Sequence, residues 1–295
     1  MRKKPPLTKK RSKWIENRNV ALHGTRLAYN AALQSRYERS LKNLTKQMTL
    51  LVKKKLIDLF EGRIAEEYFE QQEMAAAMDA SIASKAKQLL AKLLAKFDQL
   101  FSFSASVLST RMIEETKKSS EKSLHVSLKQ LSGGLSLKTS VVPEGMEDVS
   151  RALIAENVSL IKSIPQQYFK DITGSVMRSI TTGNGLADLV PDLRKYSGQS
   201  ERRVKNLALD QTRKAYNSIN KERMQSVNVK QFEWVHSGGG QKPRASHMKI
   251  SGTIFSFENL EKEQAALGVP EADQGIPGYP INCRCTMIPV IKFED

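Results

Sequence analysis

The stretch Cys283-Arg284-Cys285-Thr286-Met287-Ile288-Pro289-Val290-Ile291-Lys292-Phe293 contains both cysteines of this 295-residue chain. Its alternating pattern predicts a terminal β-strand over residues 283–293, with Cys283, Cys285 and Met287 on one face. A direct disulfide between thiols at positions i and i+2 would be strained. Two cysteines so placed give no disulfide framework, so we expect the chain to fold in a reducing compartment.

Segments upstream of this strand predict the rest of a small sheet. Residues 229–236 alternate around Trp234, and residues 253–257 form a second short strand-like run. Residues 258–267 predict a short helix, whereas the Gly- and Pro-rich residues 268–280 predict an extended loop.

The first two-thirds of the chain has a helical pattern instead. Apolar residues recur three or four positions apart over residues 12–60 and 63–130, which predicts long helices. Shorter helices are predicted after that, with starts or ends marked by Pro or Gly, over residues 143–164, 165–182, 186–196 and 200–226. The predicted fold class is therefore α+β, with long N-terminal helices and a short antiparallel sheet near the C-terminus.

This pattern predicts three parts along the chain. Residues 1–13 form a basic disordered arm, residues 14–131 a long-helix region, and residues 135–295 a C-terminal domain with helices over 143–226 and a small sheet over 229–293. Because only 6% of residues are aromatic, the N-terminal helices are candidates for self-association that buries their apolar stripes.

Positive charge is concentrated at the beginning of the chain. Residues 1–55 hold sixteen Lys and Arg against Glu16 and Glu38, whereas the whole chain has a net charge of +16. A basic arm favours a polyanion because binding releases counterions from phosphates without sequence recognition. The alternative is a solvated tail that aids solubility. The candidate DNA-binding residues are Arg2, Lys3, Lys4, Lys9, Lys10, Arg11, Lys13, Lys53, Lys54 and Lys55.

Neither a membrane span nor a secretory signal is expected. No apolar run approaches the roughly eighteen residues that a bilayer-spanning helix needs. The charged N-terminus lacks the apolar segment of a signal peptide.

One of the four histidines, His247, lies within about forty residues of both cysteines. Two thiolates and an imidazole suit a soft metal such as zinc, with His236 as a candidate fourth ligand. Two alternatives remain open. The thiols can be buried core residues beside a histidine that bonds to a loop carbonyl, or one cysteine can be a nucleophile paired with His247.

Arg244 and Arg284 lie beside predicted turns in segments that are otherwise not basic. Their guanidinium groups suit phosphate or carboxylate binding. Alternatively, they bond to backbone carbonyls and hold the 268–280 loop on the sheet. The chain has no P-loop, no Gly-x-Ser-x-Gly and no His-Glu-x-x-His motif, so no catalytic constellation is predicted.

The motifs over roughly residues 150–292 occur in an ordered set. The set comprises Asp210-Gln211-Thr212-Arg213, Trp234, Arg244-x-x-His247-x-x-x-x-Gly252, Pro277-Gly278 and Pro280-x-Asn282-Cys283-Arg284-Cys285. It resembles the phage Mu protein F-like domain of minor head, or head morphogenesis, proteins of tailed bacteriophages. Many members have an acidic residue in the loop before the motif arginine, whereas this chain has Gly238-Gly239-Gly240-Gln241-Lys242-Pro243. A carboxylate ligand or catalyst in that loop is therefore not expected.

The resemblance implies a non-enzymatic minor component of the phage head. Such a protein is made in the host cytoplasm, joins the procapsid with the portal and other head proteins, and lies inside the virion near double-stranded DNA. Metal binding suggested for the family carries over to His247, Cys283 and Cys285. The competing hypothesis is a nuclease-like or toxin-like enzyme that uses His247 with Arg244 or Arg284.

Overall fold

The computed structural model describes residues 21–64, 81–131, 142–238 and 242–292. The predicted basic arm, residues 1–13, lies outside these ranges. The described chain has the predicted α+β class, with long helices followed by a small antiparallel sheet.

Four long helices make up most of the described chain: α1 Ala31–Phe60, α2 Ile82–Leu131, α3 Met146–Thr181 and α4 Leu186–Ser226. Their buried side chains follow the three- and four-residue spacing seen in the sequence. In α1, for example, Leu41, Met48 and Val52 are fully buried. None of the helices in the described ranges is both long and apolar enough to cross a bilayer.

Two predicted helix boundaries are wrong. Pro165 lies inside α3, and both Pro191 and Gly198 lie inside α4, so each pair of predicted short helices is one continuous helix. An internal proline costs a helix about 3 kcal/mol. Around Pro165 the helix buries Ile161, Ile164, Tyr168, Phe169 and Ile172 almost completely. Since each such side chain contributes about 1.5–3 kcal/mol on burial, packing outweighs the lost hydrogen bond.

The chain forms two compact units, each made of segments that are far apart in the sequence. Among the described residues, the helical unit comprises 31–64, 81–114 and 151–211. The C-terminal unit comprises 21–30, 115–131, 142–150, 212–238 and 242–292. The predicted division at residues 131–135 follows sequence order, whereas α2, α3 and α4 each contribute residues to both units.

The sheet of the C-terminal unit has four antiparallel strands in the order β1-β4-β2-β3. The strands are β1 Leu22–His23, β2 Gln231–Val235, β3 Ile254–Ser256 and β4 Thr286–Ile291. The short helices α5 Ala245–Lys249 and α6 Leu260–Ala266 and the 3-10 helix Glu271–Asp273 lie in the connections. The terminal strand is shorter than predicted, because Cys283 and Cys285 come before its first residue.

The apolar core of the C-terminal unit is built on the sheet. Phe232 and Trp234 of β2 are fully buried, and Trp234 is paired with Met287 of β4. Phe232 stacks on Phe257 with ring centroids 4.8 Å apart. These aromatic contacts explain why the alternating pattern around Trp234 forms a central strand.

The segment after residue 20 joins this sheet instead of a helix. The prediction of a helical pattern over residues 12–60 is wrong for residues 22–30. The backbone N–H groups of Gly24 and Leu27 donate to the carbonyls of Pro289 and Met287, at 2.8 and 3.1 Å. Long-range pairing with β4 and burial of Leu27 therefore override the local helical pattern.

We predict that Leu27→Ala lowers the free energy of unfolding by about 2–5 kcal/mol, because Leu27 is 1% exposed and packs in the core of the C-terminal unit. Leu50→Ala, at a position that is 55% exposed, is the matched control and should change it by less than about 0.5 kcal/mol. Urea unfolding measures both. Equal effects would mean that residues 22–30 are not part of this core.

Candidate metal centre

Three potential metal ligands meet in the core of the C-terminal unit. The Nδ1 atom of His247 lies 3.6 Å from the Sγ atom of Cys283 and 3.7 Å from that of Cys285. All three ligand atoms lie within 4.8 Å of one another. The three residues are buried, with exposures of 2%, 2% and 3% in the order given. The predicted grouping of His247 with both cysteines is thus present in the fold.

Asp273 accepts hydrogen bonds from His247 and from two residues just before it. The Nε atom of Arg244 donates to Oδ1 of Asp273 at 2.6 Å, and the Ser246 hydroxyl donates to Oδ2 at 2.7 Å. The Nε2 atom of His247 lies 2.9 Å from the carbonyl oxygen of the same aspartate. The Arg-x-Ser-His sequence therefore fixes the otherwise irregular 268–280 loop against the helix.

The contact with the Asp273 carbonyl determines how the imidazole is oriented. A carbonyl oxygen only accepts hydrogen bonds, so Nε2 of His247 must carry a proton and donate it. In the neutral ring, Nδ1 is then left with a lone pair that faces the two sulfur atoms. Metal-binding histidines commonly use their second nitrogen in this way, because the outer hydrogen bond sets both tautomer and ring orientation.

The separations between the donors fit a tetrahedral soft metal. Bonds of about 2.3 Å to sulfur and about 2.0–2.1 Å to nitrogen, at tetrahedral angles, place nitrogen and sulfur about 3.6 Å apart. The observed distances from Nδ1 are 3.6 and 3.7 Å. The cluster can therefore hold a metal ion with little rearrangement of the side chains.

The electrostatics of the cluster favour a thiolate ligand. The hydrogen bond from Cys285, helped by that from His247 and opposed by burial, lowers the pKa of Cys283 to about 4. Interaction with Cys283, together with burial, raises the pKa of Cys285. Burial opposes the charged imidazole, but hydrogen bonds to Cys283 and to the Asp273 carbonyl raise the pKa of His247 above its ordinary value. One sulfur thus ionises readily, as a metal ligand must.

His236, predicted as a fourth ligand, is not part of the cluster. Within the described ranges the cluster comprises His247, Cys283 and Cys285 alone. The Nδ1 atom of His236 instead accepts a hydrogen bond from the backbone N–H of Gly238 at 3.2 Å. The prediction placed His236 at the end of a strand, but β2 ends one residue earlier, at Val235.

Helix α4 positions the two cysteines from the other side. The side chains of Arg213 and Asn217 donate to the carbonyl oxygens of Arg284 and Cys285, at 3.0 and 3.4 Å. The backbone N–H of Gly278 donates to Cys283 Sγ at 3.3 Å. The sequence indicated Arg213 within a motif but gave no sign of Asn217, whose partner is a distant backbone carbonyl, or of Asp273, whose partners lie at least 26 residues away.

The side chains of Arg244 and Arg284 have different surroundings. Arg244 bonds to Asp273 and, through its second terminal nitrogen, to the carbonyl of Ile281 at 2.8 Å. It therefore holds the loop, as one alternative proposed. Arg284 is exposed, and only its backbone carbonyl is engaged by Arg213.

Of the predicted DNA-binding residues, the structure describes Lys53, Lys54 and Lys55. They lie on α1 in the helical unit, where Lys54 is exposed and the other two are half-buried. They are not part of the metal centre. The arm residues from Arg2 to Lys13 lie outside the described ranges.

We predict that Gly278→Ala destabilises the C-terminal unit strongly. A Cβ atom there would lie 2.6 Å from Asn217 Nδ2 and 3.1 Å from the Arg213 carbonyl oxygen, at a φ of +82°. Gly252→Ala is the matched control, because φ there is +86° and nothing lies within 4 Å. In the control, backbone strain alone should lower the free energy of unfolding by about 1–2 kcal/mol. Thermal unfolding should show a clearly larger loss of stability for Gly278→Ala. Equal losses of stability in the two variants would contradict the close approach of Gly278 to α4.

Comparison with known proteins finds similarity over the C-terminal half of the chain. Residues 170–288 match the family model described as phage Mu protein F like protein. The chain is also similar to an uncharacterized protein of Haemophilus influenzae (strain Rd), with 32% identity over 144 residues, or 49% of this chain and 30% of that protein. The chain therefore spans less than a third of that relative's length. No solved structure matches.

The matched residues include His247, both cysteines and the part of α4 that contacts them. The resemblance inferred from the ordered motifs is thereby confirmed over this segment. The match of residues 170–288 to the phage Mu protein F-like model supports that resemblance.

Proposed function

We propose that this protein is a minor head protein of a tailed bacteriophage, which acts in head morphogenesis. The observation that carries the proposal is the family match over residues 170–288. In this role the protein associates with the portal and other head proteins during procapsid assembly and stays inside the virion. It is made in the host cytoplasm and has a structural role rather than an enzymatic one.

The metal centre has a structural role in this proposal. Zinc held by His247, Cys283 and Cys285 would tie α5 to the segment before β4, in a unit whose sheet has only short strands. Burial of all three side chains supports this role, since a catalytic zinc site keeps a position open to substrate. The fourth ligand is not supplied by the described His, Cys, Asp or Glu side chains.

The same geometry weakens the case for a nuclease-like enzyme. A general base must reach a substrate proton, but His247 is 2% exposed and both of its ring nitrogens face protein atoms. Arg244 is bonded to Asp273 and to a backbone carbonyl. No observation in the described ranges favours the enzymatic alternative over the structural one.

Contact with packaged DNA is the second part of the proposal, and charge supports it. Fourteen of the net sixteen positive charges belong to residues 1–55. The arm residues and Lys53 to Lys55 would contact phosphates without recognising sequence.

Self-association or portal contact through the long helices has support of its own. Leu100, Phe103 and Val107 of α2 lie at i, i+3 and i+7, and Phe103 is 73% exposed. Such a stripe of exposed apolar side chains on one helix face suits packing against another protein.

We predict that protein purified without chelator contains about one zinc per chain, and that His247→Gln reduces this to a small fraction. His236→Gln is the matched control, because His236 is not part of the cluster, and it should retain the metal. Elemental analysis of folded material measures both variants. A zinc content far below one in the wild type, or equal loss in both variants, would contradict a metal at this cluster.

The direct test of the function is the composition of heads. In the phage that encodes this chain, purified DNA-filled heads should contain the protein at low copy number, and cross-linking in procapsids should join it to the portal. Quantitative mass spectrometry of heads and of cross-linked peptides measures both. Its absence from procapsids and full heads would sink the proposal.

A further inference from the structure

We propose that Arg26, Arg213 and Arg284 form a phosphate-binding site on the C-terminal unit, which takes phosphodiester groups of duplex DNA. The inference rests on the proposed contact with DNA and adds a folded site to the basic arm. The three arginines come from separate parts of the chain, and only the fold brings them together.

One hydrogen bond and one ring contact hold Arg213 at the centre of this cluster. Its terminal nitrogen donates to the Arg284 carbonyl at 3.0 Å. Its guanidinium carbon lies 4.3 Å from the centre of the Tyr29 ring. The Tyr29 hydroxyl is in turn 2.6 Å from the Thr212 hydroxyl. The guanidinium plane is thus held on an aromatic surface, which limits the entropy lost when it binds a ligand.

Arg26 is held in the same region through its backbone neighbours. The N–H of Thr25 donates to the Ser127 hydroxyl at 2.9 Å, and the N–H of Leu27 donates to the Met287 carbonyl at 3.1 Å. The Arg26 side chain itself is exposed, as is that of Arg284. The guanidinium groups of Arg26 and Arg284 are therefore accessible, and their backbone is held by hydrogen bonds.

The positive charges lie close enough to affect one another. Burial lowers the pKa of Arg213. Tyr29 and Cys283 oppose this effect, whereas the nearby charges of Arg284 and Arg26 add to it. Throughout the described ranges no ion pair joins a carboxylate to any of these three arginines, whereas Arg244 is paired with Asp273. Like charges with no paired carboxylate in the described ranges disfavour one another, so a phosphate bound beside them relieves part of the repulsion.

Duplex DNA fits this cluster better than an acidic protein does. Arg26 belongs to the first 55 residues, which hold nearly all of the excess positive charge, so the cluster shares an arginine with the basic part of the sequence. Guanidinium groups match phosphate oxygens with paired hydrogen bonds. Contacts of this kind position DNA without reading its sequence.

The test uses the full chain with Arg26→Gln and Arg284→Gln combined. Among the described residues, neither substitution removes a side-chain hydrogen bond, and the Arg284 carbonyl that accepts from Arg213 is unchanged. The matched control combines Arg194→Gln with Arg202→Gln, which removes the same charge from exposed positions of α4 in the helical unit. Fluorescence anisotropy with a labelled 20-base-pair duplex over a salt series measures binding.

The cluster variant should bind DNA on the order of tenfold more weakly near 0.1 M salt, with the slope of log affinity against log salt shallower by about 2. The control should change affinity less than about twofold. Equal loss of DNA affinity in both variants would mean that only the total charge matters. Unchanged DNA affinity in the cluster variant would mean that the three arginines do not form the site. Loss of affinity for poly-aspartate with DNA affinity retained would assign the cluster to an acidic protein and overturn the proposal.

A third variant separates this inference from the proposed function. With Arg2, Lys3 and Lys4 all changed to Gln, weaker binding alongside an unchanged cluster variant leaves the DNA contact in place and rejects only the cluster. If neither the arm variant nor the cluster variant binds DNA more weakly, the proposed contact with DNA is itself wrong. The proposed arginine site is then wrong as well.

Discussion

The hydrogen bond from His247 Nε2 to the Asp273 carbonyl is the constraint on which the C-terminal unit most depends. It sets the ring so that Nδ1 faces both sulfur atoms, and it holds a loop with little regular structure against α5. Arg244 and Ser246 bond to the carboxylate of the same aspartate, so one residue of the loop receives three contacts from residues 244–247. A metal at the cluster would add a bond between this assembly and the segment that leads into β4.

The second half of the arrangement comes from α4. Arg213 and Asn217 bond to the backbone carbonyls of Arg284 and Cys285, and Gly278 allows the loop to approach α4 closely. Motif residues such as Arg213 and Gly278 therefore have largely structural roles. The side chains of Arg26 and Arg284 are exposed. The proposed contact with DNA would therefore use side chains that the supporting hydrogen bonds do not.

Much of this could be predicted from the sequence. Periodicity indicated the long helices and the strands around Trp234 and before residue 293, and the His and Cys content indicated the cluster. The errors share one cause, which is interaction between residues far apart in the chain. Pro165 should end a helix locally, but burial of its neighbours keeps α3 continuous, and residues 22–30 leave the helical pattern because β4 offers backbone partners. Asp273 could not be identified, since its essential atom is a backbone carbonyl that any residue supplies.

The central claim is that His247, Cys283 and Cys285 together ligate one metal ion inside the C-terminal unit. X-ray absorption at the zinc edge, on full-length protein purified without chelator, tests it most directly. The account predicts two sulfur neighbours at about 2.3 Å and an imidazole nitrogen at about 2.0–2.1 Å, with the sulfur contribution lost in a variant that combines Cys283→Ser and Cys285→Ser. A coordination shell of oxygen and nitrogen alone in the wild type would contradict it.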